Sequence, residues 1–256
     1  MENVAVVPAA GIGARFTASD NNPNANATPT SSRSACSKQF LDLLGVPLYI
    51  WSIQKLCQSA EIESICLVLS QQAMGSTAAE LSKYLTTAEI KKIELTVGGA
   101  SRQESVYRGL LKLSVNNPRI VLVHDAVRPF LTNELIHSSL QCAAKTGACT
   151  IASAVTDTVK RVNGGTIKET VDRSELYLMQ TPQAARFDWL LDAHKAAHEK
   201  GLSTTDDAAI LEAIGHTVQI VPGQPYNVKL TTAADLHLCE AIATWFQKHD
   251  LAPKVL

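Results

Sequence analysis

What this chain lacks first is a one-signed field of charge. Its 256 residues carry 23 basic and 24 acidic side chains, a formal net charge of −1. With no overall basic surface to hold nucleic acid, any anionic ligand has to be caught locally, by a small-molecule site. Long apolar runs are also missing. None approaches the roughly 18 residues of a membrane span, and no basic segment precedes the apolar residues 4–7. A cytoplasmic protein with neither a nucleic-acid nor a membrane partner is expected. The cysteines Cys36, Cys57, Cys66, Cys142, Cys149 and Cys239 form no Cys-x-x-Cys pair and have no histidine at zinc-site spacing. They read as reduced, mostly buried thiols. Internal repeats are absent as well.

What is present is an alternation. Short apolar runs at 4–8, 64–69, 93–97, 120–123 and 150–154 have the length and β-branched content of buried strands. Between them, residues 48–58, 76–85, 101–113 and 133–145 show helical apolar spacing, with Ser101 and Thr132 as N-caps. This β-α-β-α rhythm predicts an α/β fold, Rossmann-like, with a mostly parallel sheet covered by helices on both faces. The length suits a single domain over 1–256. Further helix or strand is expected at 186–200, 206–214, 217–221 and 232–247.

The rhythm breaks twice. Residues 17–37, rich in Asn, Ser, Thr, Ala and Pro, have no periodicity and read as a disordered loop. Residues from about 155 to 173 read as a β-hairpin turning at Asn163-Gly164-Gly165. A hairpin alone is marginally stable, so a protruding arm that packs on a second copy of the chain is expected.

In sheets of this kind ligands sit beyond the carboxyl ends of the strands, and the distinctive residues fall there. After the first strand comes Ala9-Ala10-Gly11-x-Gly13, with Arg15 behind it. A dinucleotide fingerprint fails because its third glycine position is Phe16, and no Gly-Lys-Ser/Thr follows to make a Walker A loop. What remains is a small-residue turn whose amides can approach a nucleotide closely. Arg15 and Lys38 bracket the 17–37 loop, so its closure would place two cations on a triphosphate. Gly98-Gly99-Ala100-Ser101 enters a helix, with Ser101 and Glu104 spaced as a capping box and with free amides and Ser105 suited to a base or phosphate. Asp125 and Arg128 follow the strand 120–123. A carboxylate there can hold a ribose hydroxyl or Mg2+, and an arginine can grip phosphate with two bonds. His124 reads as a packed, hydrogen-bonded histidine. Thr205-Asp206-Asp207 reads as a helix cap. Arg173 and Lys229, after strand-like stretches, are surface charges or the two cations a second phosphate substrate requires.

Taken in order, Pro-Ala-Ala-Gly-x-Gly-x-Arg, Lys-Gln-Phe, Gly-Gly-x-x-Arg-x-x-Ser, His-Asp-Ala-x-Arg-Pro, Val-Asp-Arg, Gln-Thr-Pro-Gln, Thr-Asp-Asp-Ala and Asn-x-Lys-Leu-Thr make the chain resemble the 2-C-methyl-D-erythritol 4-phosphate cytidylyltransferases over nearly its whole length. The resemblance implies transfer of CMP from CTP to a polyol phosphate, with Mg2+ bound mainly through the CTP phosphates. It implies that Arg15 and Lys38 stabilise the transition state and that Arg173 and Lys229 position the acceptor. Ala9, Ala10, Gly11, Gly13, Gly98, Gly99, Ser105 and Asp125 would hold the nucleotide, and Ala126, Arg128, Thr158 and Thr181 would lie near the acceptor. It further implies a homodimer in which the arm lends Thr158 and Arg173 to the neighbouring site. Two departures stand out: the loop before Lys38 is longer than is usual in the family, and Ala100 stands where many members carry an acidic residue. Ribitol-5-phosphate cytidylyltransferases share the Lys-Gln-Phe-Leu and His-Asp-Ala-Val-Arg-Pro-Phe-Leu wording and are the alternative. An inactive nucleotide-binding module is the remaining one.

Overall fold

Period-two alternation in three apolar runs sets up the fold. In β1 (Asn3–Ala9) the side chains of Ala5, Val7 and Ala9 enter one core and those of Val4 and Val6 another. The same split recurs in β4 (Ser64–Leu69), with Ile65, Leu67 and Leu69 set against Cys66 and Val68, and in β6 (Ile120–Val123). Strands that bury both faces need helices on both sides. One face is covered by α1 (Leu48–Gln58), α5 (Asn133–Thr146) and α8 (Ala234–Lys248). The other is covered by α4 (Arg102–Leu113), α6 (Phe187–Lys200) and α7 (Asp207–Ala213). These elements come from a computed structural model, which describes residues 2–11 and 37–254. Gly13, Arg15, Phe16, Cys36 and all of the expected 17–37 loop except Ser37 therefore lie outside the described residues.

The sheet has seven strands in the order β11-β7-β10-β6-β1-β4-β5, completed by β5 (Ile93–Val97), β7 (Ala148–Ala154), β10 (Tyr177–Arg186) and β11 (Gln219–Pro222). β1 is parallel to β4 on one side and to β6 on the other. The chain leaves β1 towards β4 and β5, then returns past it to β6, which makes the carboxyl end of β1 the switch point where a crevice opens. The sheet is mostly parallel, as expected, but β10 runs antiparallel between β6 and β7. Sequence reading treats Gln180-Thr181-Pro182-Gln183 as an isolated motif, whereas it lies inside this central strand. The β10–β7 pairing shifts register between Met179 and Gln183, and that irregularity accommodates Pro182, which cannot donate to a ladder.

Other boundaries differ modestly. The helix expected over 76–85 is α2 (Met74–Leu81), and the last strand begins at Gln219 rather than 217. A single turn, α3 (Thr87–Ile90), and a small hairpin of β2 (Asp42–Leu43) and β3 (Val46–Pro47) complete the set. Thr132 caps α5 as expected, accepting from the Leu135 amide at 3.3 Å. In the arm region, β8 (Val159–Asn163) and β9 (Thr166–Val171) pair only with each other. Their turn places Gly164 and Gly165 at φ +56° and +77°, the two positive values that a tight two-residue hairpin demands.

Cys57, Cys66, Cys142, Cys149 and Cys239 are free thiols, all but Cys142 buried. Burial pushes the thiols of Cys57, Cys66 and Cys239 up to about 12. Among the described residues, no helix is long and apolar enough to cross a membrane.

Candidate active site

The crevice begins with backbone. Where β1 ends, the carbonyls of Ala9 and Gly11 are both tied down by the Gln39 amide, at 2.6 and 2.9 Å. Gln39 lies on the 3-10 turn Lys38–Phe40, anchored by the edge-on packing of Phe40 against Tyr49. The turn after β5 presses against the same place. A Cβ on Gly98 would stand 2.4 Å from the Ala10 Cβ and 2.7 Å from Ser105 Oγ, so only glycine fits there. Ser105 Oγ accepts from the Gly99 amide at 3.1 Å and donates to the Ser101 carbonyl at 2.8 Å, which fixes the entry to α4. The expected capping box is half formed. Ser101 Oγ accepts from the Glu104 amide at 3.0 Å, but the Glu104 carboxylate takes the Ala100 amide at 2.8 Å instead of returning to Ser101. That choice ties down the turn itself.

Charge enters from several further segments. Asp125, just beyond β6, shares its oxygens between two cations: Oδ1 meets Arg102 Nε at 2.8 Å and Oδ2 meets Lys229 Nζ at 2.6 Å. Arg102 Nη1 reaches Asp207 Oδ2 at 2.8 Å, and Asp207 Oδ1 meets His194 Nε2 at 3.0 Å. Burial alone would raise both carboxyls, but the Arg102 guanidinium, aided by Lys229 at Asp125 and by His194 at Asp207, holds them below the usual carboxylate range. Lys38 Nζ donates to the Leu230 carbonyl at 3.2 Å, next in sequence to Lys229. Lys229 lies in the irregular segment that follows β11.

His124 behaves as the sequence implies. Its Nε2 is 3.0 Å from the Arg128 carbonyl, and its Nδ1 is 3.1 Å from Thr181 Oγ1, which accepts from the Asp125 amide at 3.1 Å. Burial pushes this histidine down to about 4, so it is neutral at pH 7. The network is satisfied when Thr181 donates to Nδ1 and Nε2–H donates to the carbonyl. Arg128 departs from the expected two-bond grip on phosphate: Nη1 donates to the Asn227 carbonyl at 2.8 Å and Nη2 to that of Met179 at 3.3 Å. It buttresses the wall on which Thr181 and Lys229 stand.

A cleft of about 430 Å³ gathers Ala9, Ala10, Gly11, Lys38, Gly99, Ser105, Asp125 and Lys229, with Gly98 directly behind. An adjoining depression of about 250 Å³ holds Arg128 and Thr181 and shares Arg102, Asp125 and Lys229 with the first. Ala126 packs into the core. Thr158 and Arg173 reach neither cavity. Both are exposed at the base of the hairpin, where Arg173 Nη1 donates to the Thr156 carbonyl. Gln39, Arg102 and Asp207 are site residues that sequence reading does not single out. Arg102 is visible only as the arginine of the Gly-Gly-x-x-Arg-x-x-Ser wording, and Asp207 only as part of a helix cap. Asp206 does cap α7, accepting from the Ala209 amide at 3.0 Å.

The donor set does not suit a metal held by the protein. Both Asp125 oxygens are occupied by cations, and the described residues contain no cluster of three or more His, Cys, Asp or Glu side chains that could hold an ion. The expectation that Asp125 can ligate Mg2+ therefore conflicts with this geometry.

A switch-point crevice lined by backbone turns and flanked by cations defines the chain as a nucleotide-handling α/β enzyme. Residues 3–245 match the family model of IspD, 2-C-methyl-D-erythritol 4-phosphate cytidylyltransferase. Proteins of that name from Bacillus velezensis and Halalkalibacterium halodurans are 39% and 38% identical to the chain, each over 94% of it and over 96% and 97% of their own lengths. Among solved structures, the Thermus thermophilus cytidylyltransferase superposes with a TM-score of 0.73 at 30% identity, covering 95% of this chain and all (100%) of that one. The Anaerococcus prevotii 4-diphosphocytidyl-2C-methyl-D-erythritol synthase shares the fold with a TM-score of 0.77 at 24% identity, over 95% of this chain and 96% of its own. The chain belongs to the 2-C-methyl-D-erythritol 4-phosphate cytidylyltransferase family.

Proposed function

We propose that the chain transfers CMP from CTP to 2-C-methyl-D-erythritol 4-phosphate, a step of isoprenoid precursor synthesis. An oxygen of the acceptor phosphate attacks the α-phosphorus of CTP. The bond between the α-phosphorus and the bridging oxygen breaks, and pyrophosphate leaves with that oxygen and its electron pair. The product is 4-diphosphocytidyl-2-C-methyl-D-erythritol. The nucleophile is already an anion, so the reaction requires placement and charge compensation, not a general base. The neutral, fully engaged His124 accords with that. The observation that carries the reading is the convergence on one cleft of the backbone turns at Ala9–Gly11 and Gly99 with Lys38 and Lys229.

In this reading the backbone turns and Ser105 hold cytosine and phosphate, and Asp125 meets the ribose. Lys38, with Arg15, offsets charge growing at the α-phosphorus. Lys229 presents the acceptor phosphate beside Thr181, Ala126 and Arg128. CTP enters as its Mg2+ complex, the ion riding on the phosphates. One catalytic domain spans 1–256, located in the cytoplasm, and the hairpin is an arm exchanged within a homodimer. The arm supplies Thr158 and Arg173 to the neighbouring cleft, since neither residue lines the cleft or the adjoining depression among the described residues. The test is pyrophosphate release by the purified protein with CTP, Mg2+ and a panel of polyol phosphates. Turnover with methylerythritol phosphate is expected, and turnover with ribitol 5-phosphate alone would overturn the assignment.

A further inference from the structure

Arg102 forms part of both depressions and is held from two sides. Its Nε meets Asp125 and its Nη1 meets Asp207, each at 2.8 Å, while Nη2 lies outside both pairs. Asp207 is the less expected partner. It opens α7, where a carboxylate in solvent would already complement the helix dipole. Instead it is 1% exposed and lines neither depression, so it is not placed to touch a ligand. Burying an ionised carboxylate is costly unless it is fully partnered. Here the charge is met by two basic side chains, Arg102 Nη1 at 2.8 Å from Oδ2 and His194 Nε2 at 3.0 Å from Oδ1, and the Gln183 side chain accepts from the Asp207 backbone amide at 2.8 Å.

The consequence appears at Asp125. A guanidinium and a carboxylate left to themselves form two parallel bonds. Anchoring Nη1 on Asp207 fixes the plane of the guanidinium, so that Arg102 meets Asp125 Oδ1 through Nε while Oδ2 remains on Lys229 at 2.6 Å. We infer that Asp207 is a positioning residue: by anchoring Nη1 it fixes the Arg102 guanidinium, whose Nε holds Asp125 Oδ1 and leaves Oδ2 on Lys229, the cation that presents the acceptor phosphate. The inference rests on the transfer reaction proposed above. It adds a buried anchor, behind the cleft, that sets the direction of a lysine it does not touch.

Asp207→Asn keeps the shape and removes the charge. Its kcat/KM for the acceptor is expected to fall about 10- to 100-fold, since misplacement by an ångström has effects of that order. The KM for CTP should move less, by no more than about threefold, because the backbone turns that hold cytosine and phosphate are untouched and only the single Asp125 contact with the ribose is disturbed. Arg102→Gln should show the same acceptor-selective loss, and the double variant should be no worse than Arg102→Gln alone, because the effect runs through that side chain. Losses that multiply in the double variant, or a CTP KM that worsens together with thermal stability, would mark Asp207 as packing only and overturn the inference. Should Asp207→Asn fail to fold, the partly exposed Arg102 decides the matter: acceptor kinetics unchanged in Arg102→Gln overturn the inference. An inactive wild-type protein would sink the proposed function itself, whereas an active wild type with an unimpaired Asp207→Asn sinks only this anchor.

Discussion

In the cleft, Asp125 and Asp207 are 6% and 1% exposed and every carboxylate oxygen meets a basic side chain. In the hairpin, Val162 and Ile167 are 54% and 60% exposed and the two strands pair with nothing else. Both regions carry residues of the motif set, yet only those of the cleft are gathered by the central sheet. The cleft draws on the ends of β1, β5 and β6, so the packing of the sheet fixes its geometry before any ligand arrives. The hairpin has apolar side chains and a cation, Arg173, but no surface of its own to place them against. In the homodimer proposed above, a second chain supplies the face that the hairpin lacks.

The strongest way to break the cleft while sparing the arm is Gly98→Val. The new side chain would collide with Ala10 and Ser105, and CTP binding measured by calorimetry should weaken about 100-fold or more. Binding within threefold of wild type would show that the two turns need not touch. A smaller effect separates the two regions by pH. The folded-state value of His124 is pushed down to about 4, so between about 6.5 and 4 the unfolded chain binds the extra proton. Stability is therefore complete above about pH 6.5 and is lost as the pH falls through that window, by at most about 3 kcal/mol from this group. Asp125 and Asp207, both held below the ordinary range, extend the loss to still lower pH. Thermal melts from pH 7 to 4 should show the decline, and His124→Gln should flatten its upper part. An unchanged slope in that variant would mean that another group carries it.

How far the sequence reaches follows the same division. The strands Ser64–Leu69, Ile93–Val97 and Ile120–Val123 and the helix Leu48–Gln58 appear at their expected bounds, because a run buried on both faces or a clean helical stripe leaves one solution. β10 was illegible because Gln180, Pro182 and Gln183 interrupt its apolar pattern, and antiparallel placement between β6 and β7 depends on partners far along the chain. The glycine turns and the cations around them were readable as residue types at strand ends. Their connections were not. Nothing local to Thr-Asp-Asp announces that its second carboxylate turns inward to Arg102, or that Arg128 spends two nitrogens on backbone carbonyls. Side-chain direction is set by tertiary packing, and short motifs do not encode it.

The claim that two chains complete one site is tested most directly by mixing Lys38→Ala with Arg173→Ala protein under conditions of verified subunit exchange. Each variant alone should turn over little. In a random mixture half the dimers are mixed, and each has one cleft with both cations intact, so activity should recover to about a quarter of the wild-type rate. A mixture that stays as inactive as its components would contradict a shared site and return Arg173 to the surface of its own chain.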